Sequence, residues 1–229
     1  MCKPNQVKNK MPAQKEGMLI VISGPSGSGK GTVVKELCRS ADYVLSISVT
    51  ARKPRLGEVD GRDYFFVTEN KFHKMCDENA LIEHDVFVGN HYGTPRKYVE
   101  EQINLGKIVI LEITVQGALQ VRSKFPKAVL VFLMPPSMAE LANRLKQRGL
   151  DDDASINARL KTASNEVLHI NEYDYFVIND EVAKAAANIK AIVSAELLKP
   201  IRLSEQIRSF LDIVKNEENQ IKLEGDVIC

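Results

Sequence analysis

Residues 24–32 read Gly-Pro-Ser-Gly-Ser-Gly-Lys-Gly-Thr, directly after the apolar run Met18 to Ile22 and directly before Val33, Val34 and Leu37. A strand, a glycine-rich turn and a helix must therefore follow one another, and this unit is the building block of a parallel sheet with helical cover. Glycines at 24, 27 and 29 let the backbone curl with its N–H groups inward, and the helix N-terminus behind them adds positive dipole where an anion would sit. Lys30 supplies a mobile charge for the outer phosphates. Gly24, Pro25, Ser26, Gly27, Ser28, Gly29, Lys30, Gly31 and Thr32 are thus expected to cradle a polyphosphate. The usual pattern puts a hydroxyl, the magnesium ligand, directly after the lysine; here Gly31 stands there and Thr32 comes one place later.

Three further apolar runs, Lys107 to Ile113, Ala128 to Met134 and Tyr173 to Ile178, join the first as expected strands. Near-continuous Ile, Val and Leu without polar alternation is what strands covered on both faces require, so the four read as a buried parallel sheet. Ser137 and Glu140 form a capping box after two prolines, Gly149 closes that helix, and Asp151 to Asp153 open the next. Between Tyr43 and Gly93 the texture changes to short β-like pieces, around Val44 to Val49, Tyr64 to Val67 and Ile82 to Val88, which reads as an inserted subdomain. After the break at Pro200, Leu203, Ile207, Phe210, Leu211 and Val214 mark an amphipathic helix, packed on its own domain or used as a dimer contact.

At 229 residues and 44% hydrophobic, the chain suits one α/β domain with insertions. Thirty-one basic against 30 acidic side chains leave a net charge of +1, with no global field for nucleic acid or an acidic membrane, so any anion site must be local. The four cysteines lack a paired spacing that would suggest zinc or a disulfide framework. Residues 1–16 are polar and lysine-rich without an apolar stretch, and no run approaches the roughly 18 apolar residues of a membrane span, so a cytoplasmic protein is expected.

The segment Ser48 to Tyr64 packs Arg52 and Arg55 around Pro54, with two turn glycines and a tyrosine. Guanidinium forks clamp a dianion bidentately, and Pro54 restrains the backbone between them. Tyr64 and Tyr92 can each donate a hydroxyl to the same oxygens. Beside a phosphate loop, a second phosphate site is the expected reading.

With these motifs the sequence closely resembles the guanylate kinase family from about Leu19 to Leu198. The loop is followed, in family order, by Thr50-Ala-Arg-Lys-Pro-Arg-Leu-Gly-Glu58, Gly61-Arg-Asp-Tyr-Phe-Phe-Val67, Ile82-Glu-His84, Tyr92-Gly-Thr94, Val115-Gln-Gly-Ala118 and Val177-Ile-Asn-Asp180. The resemblance implies a phosphate-loop kinase core over about 17–200, with an inserted α+β GMP-binding subdomain at about 48–97 and a helical lid at about 137–168. Residues 1–16 would form an N-terminal extension and 201–229 a C-terminal helix and tail. It implies magnesium-dependent transfer of the γ-phosphoryl group of ATP to GMP, by direct in-line displacement. The loop would bind ATP, with Asn179 near the adenine. Arg52, Arg55, Glu58, Tyr64 and Tyr92 would belong to the GMP site, and Ser48, Glu83 and Thr94 would read guanine. Those types suit the base: Glu83 can accept from the ring N–H and the exocyclic amine, hydroxyls can donate to the carbonyl, and adenine would leave the carboxylate unpaired.

Arg144 and Arg148, four apart on one helix, and Arg159 on the next could converge on the transferring phosphoryl group, and the resemblance makes this the lid. Phosphoryl transfer needs alignment and positive charge more than a side-chain nucleophile. With Lys30, these arginines are the expected catalytic groups. Thr32 and Glu112 are the expected magnesium contacts, the carboxylate acting indirectly. One position departs from the family pattern Leu-Glu-Ile-Asp-x-Gln-Gly: Thr114 replaces the aspartate, and a weakened kinase is the expectation. A guanylate kinase-like binding module and a ribose 1,5-bisphosphate kinase are the alternatives; the retained loop lysine and lid arginines weigh against the first, the guanine readers against the second. Monomer and homo-oligomer both remain open.

Overall fold

The computed structural model describes residues 17–87, 89–147 and 153–225. The chain divides into two units, residues 17–193 and residues 194–225 of the described part.

The first unit is built on β1 (Met18–Ser23), all six of whose residues are buried. It pairs in parallel with β7 (Ile108–Glu112) on one side and β8 (Val129–Met134) on the other. β2 (Tyr43–Leu45) and β9 (Tyr175–Ile178) complete the order β2-β7-β1-β8-β9, every neighbour parallel. Helices cover both faces, so the central strands need side chains that are apolar in both directions, which is why they read as unbroken aliphatic runs. α1 (Lys30–Leu37) buries Val33, Val34 and Leu37, and α4 (Val115–Lys124) buries Val115, Ala118 and Val121. α7 (Val182–Leu197) contributes Ala185, Ala186, Ile189 and Val193 to the core of this unit.

The core sheet thus has five strands where four were expected. Val44 to Val49, read as one piece of the insertion, belongs to two sheets: Tyr43–Leu45 runs along β7, and Ser46 donates its N–H to the Ile110 carbonyl at 2.9 Å before the chain leaves the core. Three residues are too short for periodicity to reveal a strand; register against β7 is what defines it.

β3 (Val49–Thr50) then starts a second, mixed sheet of order β4-β3-β6-β5, with β4 (Phe65–Phe66), β5 (Leu81–Phe87) and β6 (Asn90–Pro95). Its core is Val49, Phe72 and Leu81. Phe72 comes from α2 (Glu69–Asp77), which Thr68 caps by accepting from the Lys71 N–H at 3.3 Å. β5 stands at the edge of this sheet, and Gln120 of α4 answers its free backbone: Gln120 Nε2 donates to the His84 carbonyl at 2.8 Å, and the His84 N–H donates back to Gln120 Oε1 at 3.2 Å. α3 (Arg96–Asn104) returns the chain to the core.

α5 (Met138–Gln147) starts at Ser137, whose Oγ accepts from the Glu140 N–H at 3.0 Å. The Glu140 carboxylate, expected to close the capping box, instead accepts from Arg144 Nε at 2.8 Å. α6 (Asp153–Val167) follows; Arg148, Gly149, Asp151 and Asp152 lie outside the described residues, as do Val88 and residues 1–16. A 3-10 turn, Ile170–Glu172, leads into β9.

In the second unit α8 (Ser204–Gly225) begins one residue after Leu203, where the amphipathic pattern starts, and runs well past Val214. Before it, Lys199 Nζ meets the Glu196 carboxylate at 2.6 Å. Among the described residues no helix is long and apolar enough to cross a membrane.

The start of β1 tests this packing. A Cβ on Gly17 would fall 2.1 Å from the carbonyl oxygen of Ile103, a backbone atom that has no rotamer in which to retreat. Gly17→Ala is therefore expected to lower stability by about 1–3 kcal/mol, read as a lower denaturant midpoint with an unchanged slope.

Candidate active site

The loop between β1 and α1 takes positive φ at Gly24 (138°), Gly27 (93°) and Gly29 (90°), which turns its peptide N–H groups into one concavity. The glycines are also required by their surroundings. A Cβ on Gly24 would lie 2.2 Å from the Leu133 carbonyl oxygen, and one on Gly29 would lie 2.3 Å from Asn179 Nδ2. Lys30 Nζ is held across the loop mouth, donating to the carbonyls of Gly24 at 2.7 Å and Pro25 at 3.1 Å. Pro25, Ser26, Ser28 and Gly31 complete the turn, with Ser28 N–H closing it onto the Pro25 carbonyl at 3.1 Å.

Asn179, expected near the adenine, is buried, donates from Nδ2 to the Ser28 carbonyl at 2.8 Å and so braces the loop, and it also lines the cleft beside it. Arg144 Nη2 donates to the Asn179 carbonyl at 3.0 Å. A cleft of about 340 Å³ opens here, lined by Gly27, Gly29, Thr32, Arg144, Gln147 and Asp180 among others. Arg144 is thus brought to the loop, Arg159 sits half-buried on α6, and Arg148 lies outside the described residues.

The two expected magnesium contacts meet at the first turn of α1, through the neighbouring positions 31 and 32. Thr32 lines the cleft with Arg144, whereas Glu112, at the end of β7, faces Gly31, where a Cβ would stand 3.4 Å from its Oε1. Burial pushes the Glu112 carboxyl up, and Lys30 and Lys35 pull it back. Both are hard oxygen donors of the kind magnesium selects.

The second anion site is assembled on the smaller sheet. Arg52 forms a two-pronged pair with Glu58, 2.6 Å at each guanidinium nitrogen, and its Nε donates to the Tyr92 hydroxyl at 3.0 Å. The guanidinium lies 4.9 Å from the Tyr64 ring centroid, and the Tyr64 and Tyr92 rings are 5.8 Å apart. Arg52 holds the Glu58 carboxyl down to about 2, helped by the Arg55 N–H at 2.7 Å. Glu58, counted with the GMP site from sequence, orients Arg52 and ties down the turn carrying Arg55. Arg55 itself is exposed and available.

Glu83, on β5, is 4% exposed. Thr94 Oγ1 donates to its Oε1 at 2.6 Å, and its Oε2 stands 2.6 Å from the place a Gly117 Cβ would occupy, which explains a glycine in the first turn of α4. Thr94, expected to read guanine with Ser48 and Glu83, has its hydroxyl proton directed at Glu83 here. Burial is the chief reason the Glu83 carboxyl is pushed up to about 7, with nearby Asp85 adding to it and the Thr94 bond opposing. Ser48, half-buried, precedes β3, and its carbonyl accepts from the Phe65 N–H at 2.9 Å.

Asp85 and Thr114 form a contact that the sequence did not reveal. Thr114 caps α4 by accepting from the Gly117 N–H at 3.1 Å and donates its own proton to Asp85 Oδ2 at 2.6 Å. The residues lie 29 positions apart, and no local spacing signals their meeting.

A family model described as guanylate kinase matches residues 16–196. The chain belongs to the guanylate kinase family. It is 50% identical over 202 residues to the guanylate kinase of Bacillus subtilis (strain 168), an alignment covering 87% of this chain and 99% of that one. Against the guanylate kinase of Caldanaerobacter subterraneus subsp. tengcongensis it is 48% identical over 187 residues, 81% and 91% of the two chains. Among solved structures, the guanylate kinase from Anaplasma phagocytophilum superposes with a TM-score of 0.69 at 36% identity, covering 86% of this chain and 96% of that one. The family core thus spans the phosphate loop, the smaller sheet and the α5–α6 pair.

The state of Glu83 has a measurable consequence. A carboxyl raised from 4.5 to about 7 favours the folded protein most fully below its ordinary value, and that contribution is lost as pH rises through about 7. A ligand presenting two N–H donors to Glu83 requires the ionised form and releases its proton. Binding of a guanine nucleotide at pH 6.5 is therefore expected to release protons, measured by calorimetry in buffers of different ionisation enthalpy, in excess of the release seen with Glu83→Gln.

Proposed function

We propose that this protein transfers the γ-phosphoryl group of ATP to the phosphate of GMP, yielding ADP and GDP by direct in-line displacement. The observation that carries this reading is the Glu83 carboxylate, buried and held by Thr94 on the same small sheet as the Arg52–Tyr92–Tyr64 anion site. A base edge with two adjacent donors and a phosphate, joined by a ribose, match such a pair of sites.

In this reading Arg52, Arg55, Tyr64 and Tyr92 hold the GMP phosphate. Glu58 and the Tyr64 ring keep the Arg52 fork oriented, so that less side-chain entropy is lost when the dianion arrives. Ser48 lies beside the base, and Thr94 acts on it through Glu83. The loop from Gly24 to Thr32 takes the ATP phosphates, and Lys30 exchanges its carbonyl partners for phosphate oxygens. Arg144, with Arg148 and Arg159 from the lid, offsets charge on the equatorial oxygens of the transferring group.

An oxygen of the GMP phosphate attacks the γ-phosphorus while the bond to the β-bridging oxygen of ADP breaks, and no covalent enzyme intermediate forms. Thr32, lining the cleft, and Glu112, indirectly, would hold the magnesium that comes with ATP, and the ion would offset phosphate charge. ATP and GMP are the partners of this reading, with no nucleic acid or membrane, and the cytoplasm is its compartment.

The test is ADP release with ATP and magnesium, offering GMP, AMP, CMP, UMP and ribose 1,5-bisphosphate in turn. Turnover confined to GMP is expected. Turnover on the ribose bisphosphate, or GMP binding without any turnover, would refute the assignment in favour of the related sugar-phosphate kinase or a binding module. In the same assay Arg52→Lys, which keeps the charge but loses the fork and its pairing with Glu58, is expected to raise the KM for GMP by about tenfold or more while the KM for ATP stays put.

A further inference from the structure

Guanine's exocyclic amine carries two hydrogens. Glu83 has two oxygens, enough for the ring N–H and one amine hydrogen, so the second amine hydrogen needs another acceptor if it is not to be stranded. The residue nearest in role along β5 is Asp85. The strand exposes His84 and Val86 while Glu83 is buried and Asp85 half-buried, so Glu83 and Asp85 share the inward face.

Both carboxylates border the first turn of α4. Glu83 Oε2 lies against Gly117, and Asp85 Oδ2 receives the Thr114 hydroxyl proton at 2.6 Å, the same hydroxyl that accepts from the Gly117 N–H. Asp85 Oδ1 accepts from the Val86 N–H at 2.7 Å. Each Asp85 oxygen thus has one partner and keeps a second acceptor position. Thr114 stands where the family pattern carries an aspartate, and the carboxylate that meets it comes from β5, across the junction between the small sheet and α4.

We propose that Asp85 is a specificity-determining residue of this site, its carboxylate accepting the second amine hydrogen of a 2-aminopurine while Thr114 holds it in position. Thr114 is a positioning residue: its hydroxyl fixes the Asp85 rotamer and caps α4 at once. The charge missing from position 114 is supplied from position 85, and the expected weakening from Thr114 does not follow. This assignment rests on the proposed GMP site.

Inosine monophosphate, which differs from GMP in lacking the amine, isolates the contact. The measurements are kcat/KM with each acceptor and equilibrium binding of each by calorimetry. Asp85→Ala is expected to lower kcat/KM for GMP by about 10- to 100-fold, the range for a hydrogen bond to a charged group, and to change that for inosine monophosphate by less than about threefold. The collapse in the ratio of the two should appear in binding as well.

The double variant Asp85→Ala/Thr114→Asp returns a carboxylate, one that also caps a helix well, and is expected to recover most of the ratio. Equal losses on both acceptors would mean that Asp85 only supports the fold, and an unchanged GMP value would mean that it does not meet the base; either overturns the assignment. A wild-type protein that bound neither nucleotide would overturn the GMP reading itself, whereas wild-type turnover of GMP with a ratio insensitive to Asp85 would sink only this inference.

Discussion

The structure depends on a backbone conformation that few residues can adopt. From Gly24 to Gly29 the chain turns with three positive φ values between a fully buried strand and a helix, and the turn is wedged between the Leu133 carbonyl, the Asn179 amide and the side chains of Leu141 and Leu145. Because those four neighbours come from the end of β8, from α5 and from the segment after β9, the loop holds its shape only when the sheet is complete. An anion-binding concavity built of peptide N–H groups is therefore preorganised by the aliphatic core beneath it, and the core in turn is limited to small contacts where the loop passes.

The smaller sheet solves a different problem. It must present two guanidinium groups to a dianion without letting them collapse together or onto an acid of its own. Glu58 does pair with Arg52, but it grips the two terminal nitrogens, while Nε faces the Tyr92 hydroxyl and the plane rests over Tyr64. The pair fixes the fork's direction, an arrangement in which electrostatics serves geometry more than stability. Nearby, the buried Glu83 is tolerated because Thr94 donates to it and because its proton is easily kept near neutral pH. A base with two donors can displace that proton.

The junction between the sheets is made by α4. Gln120 closes the free edge of β5 as a neighbouring strand would, and Thr114 reaches Asp85 at the other end of the same contact. Thr114 and Asp85 are each unremarkable in sequence: a hydroxyl at a helix start and an acid in a polar strand. Only their approach gives the pair a meaning, and it changes the significance of the missing aspartate from a loss to a relocation. Asn179 is a parallel case, since a side chain with two donors and one acceptor could serve a base or a backbone equally well, and only folding brings the Ser28 carbonyl within reach of its Nδ2.

Much was legible from residues alone, for physical reasons. Unbroken aliphatic runs in β1, β7 and β8 can lie only in a strand buried on both faces, and glycines spaced around a lysine can serve only a tight, anion-facing turn, so the parallel core and the phosphate loop followed from composition and spacing. The motif order likewise pointed to the family. Tertiary structure decided what depends on contact between distant segments. β2, three residues long, exists by register against β7; β6, polar along its length, exists by pairing with β5; Glu58 and Thr94 acquire partners in Arg52 and Glu83; and Asp85 meets Thr114. Local spacing encodes backbone conformation because its determinants lie within a few residues, whereas the direction of a charged side chain is set by whichever partner folding brings within hydrogen-bond reach.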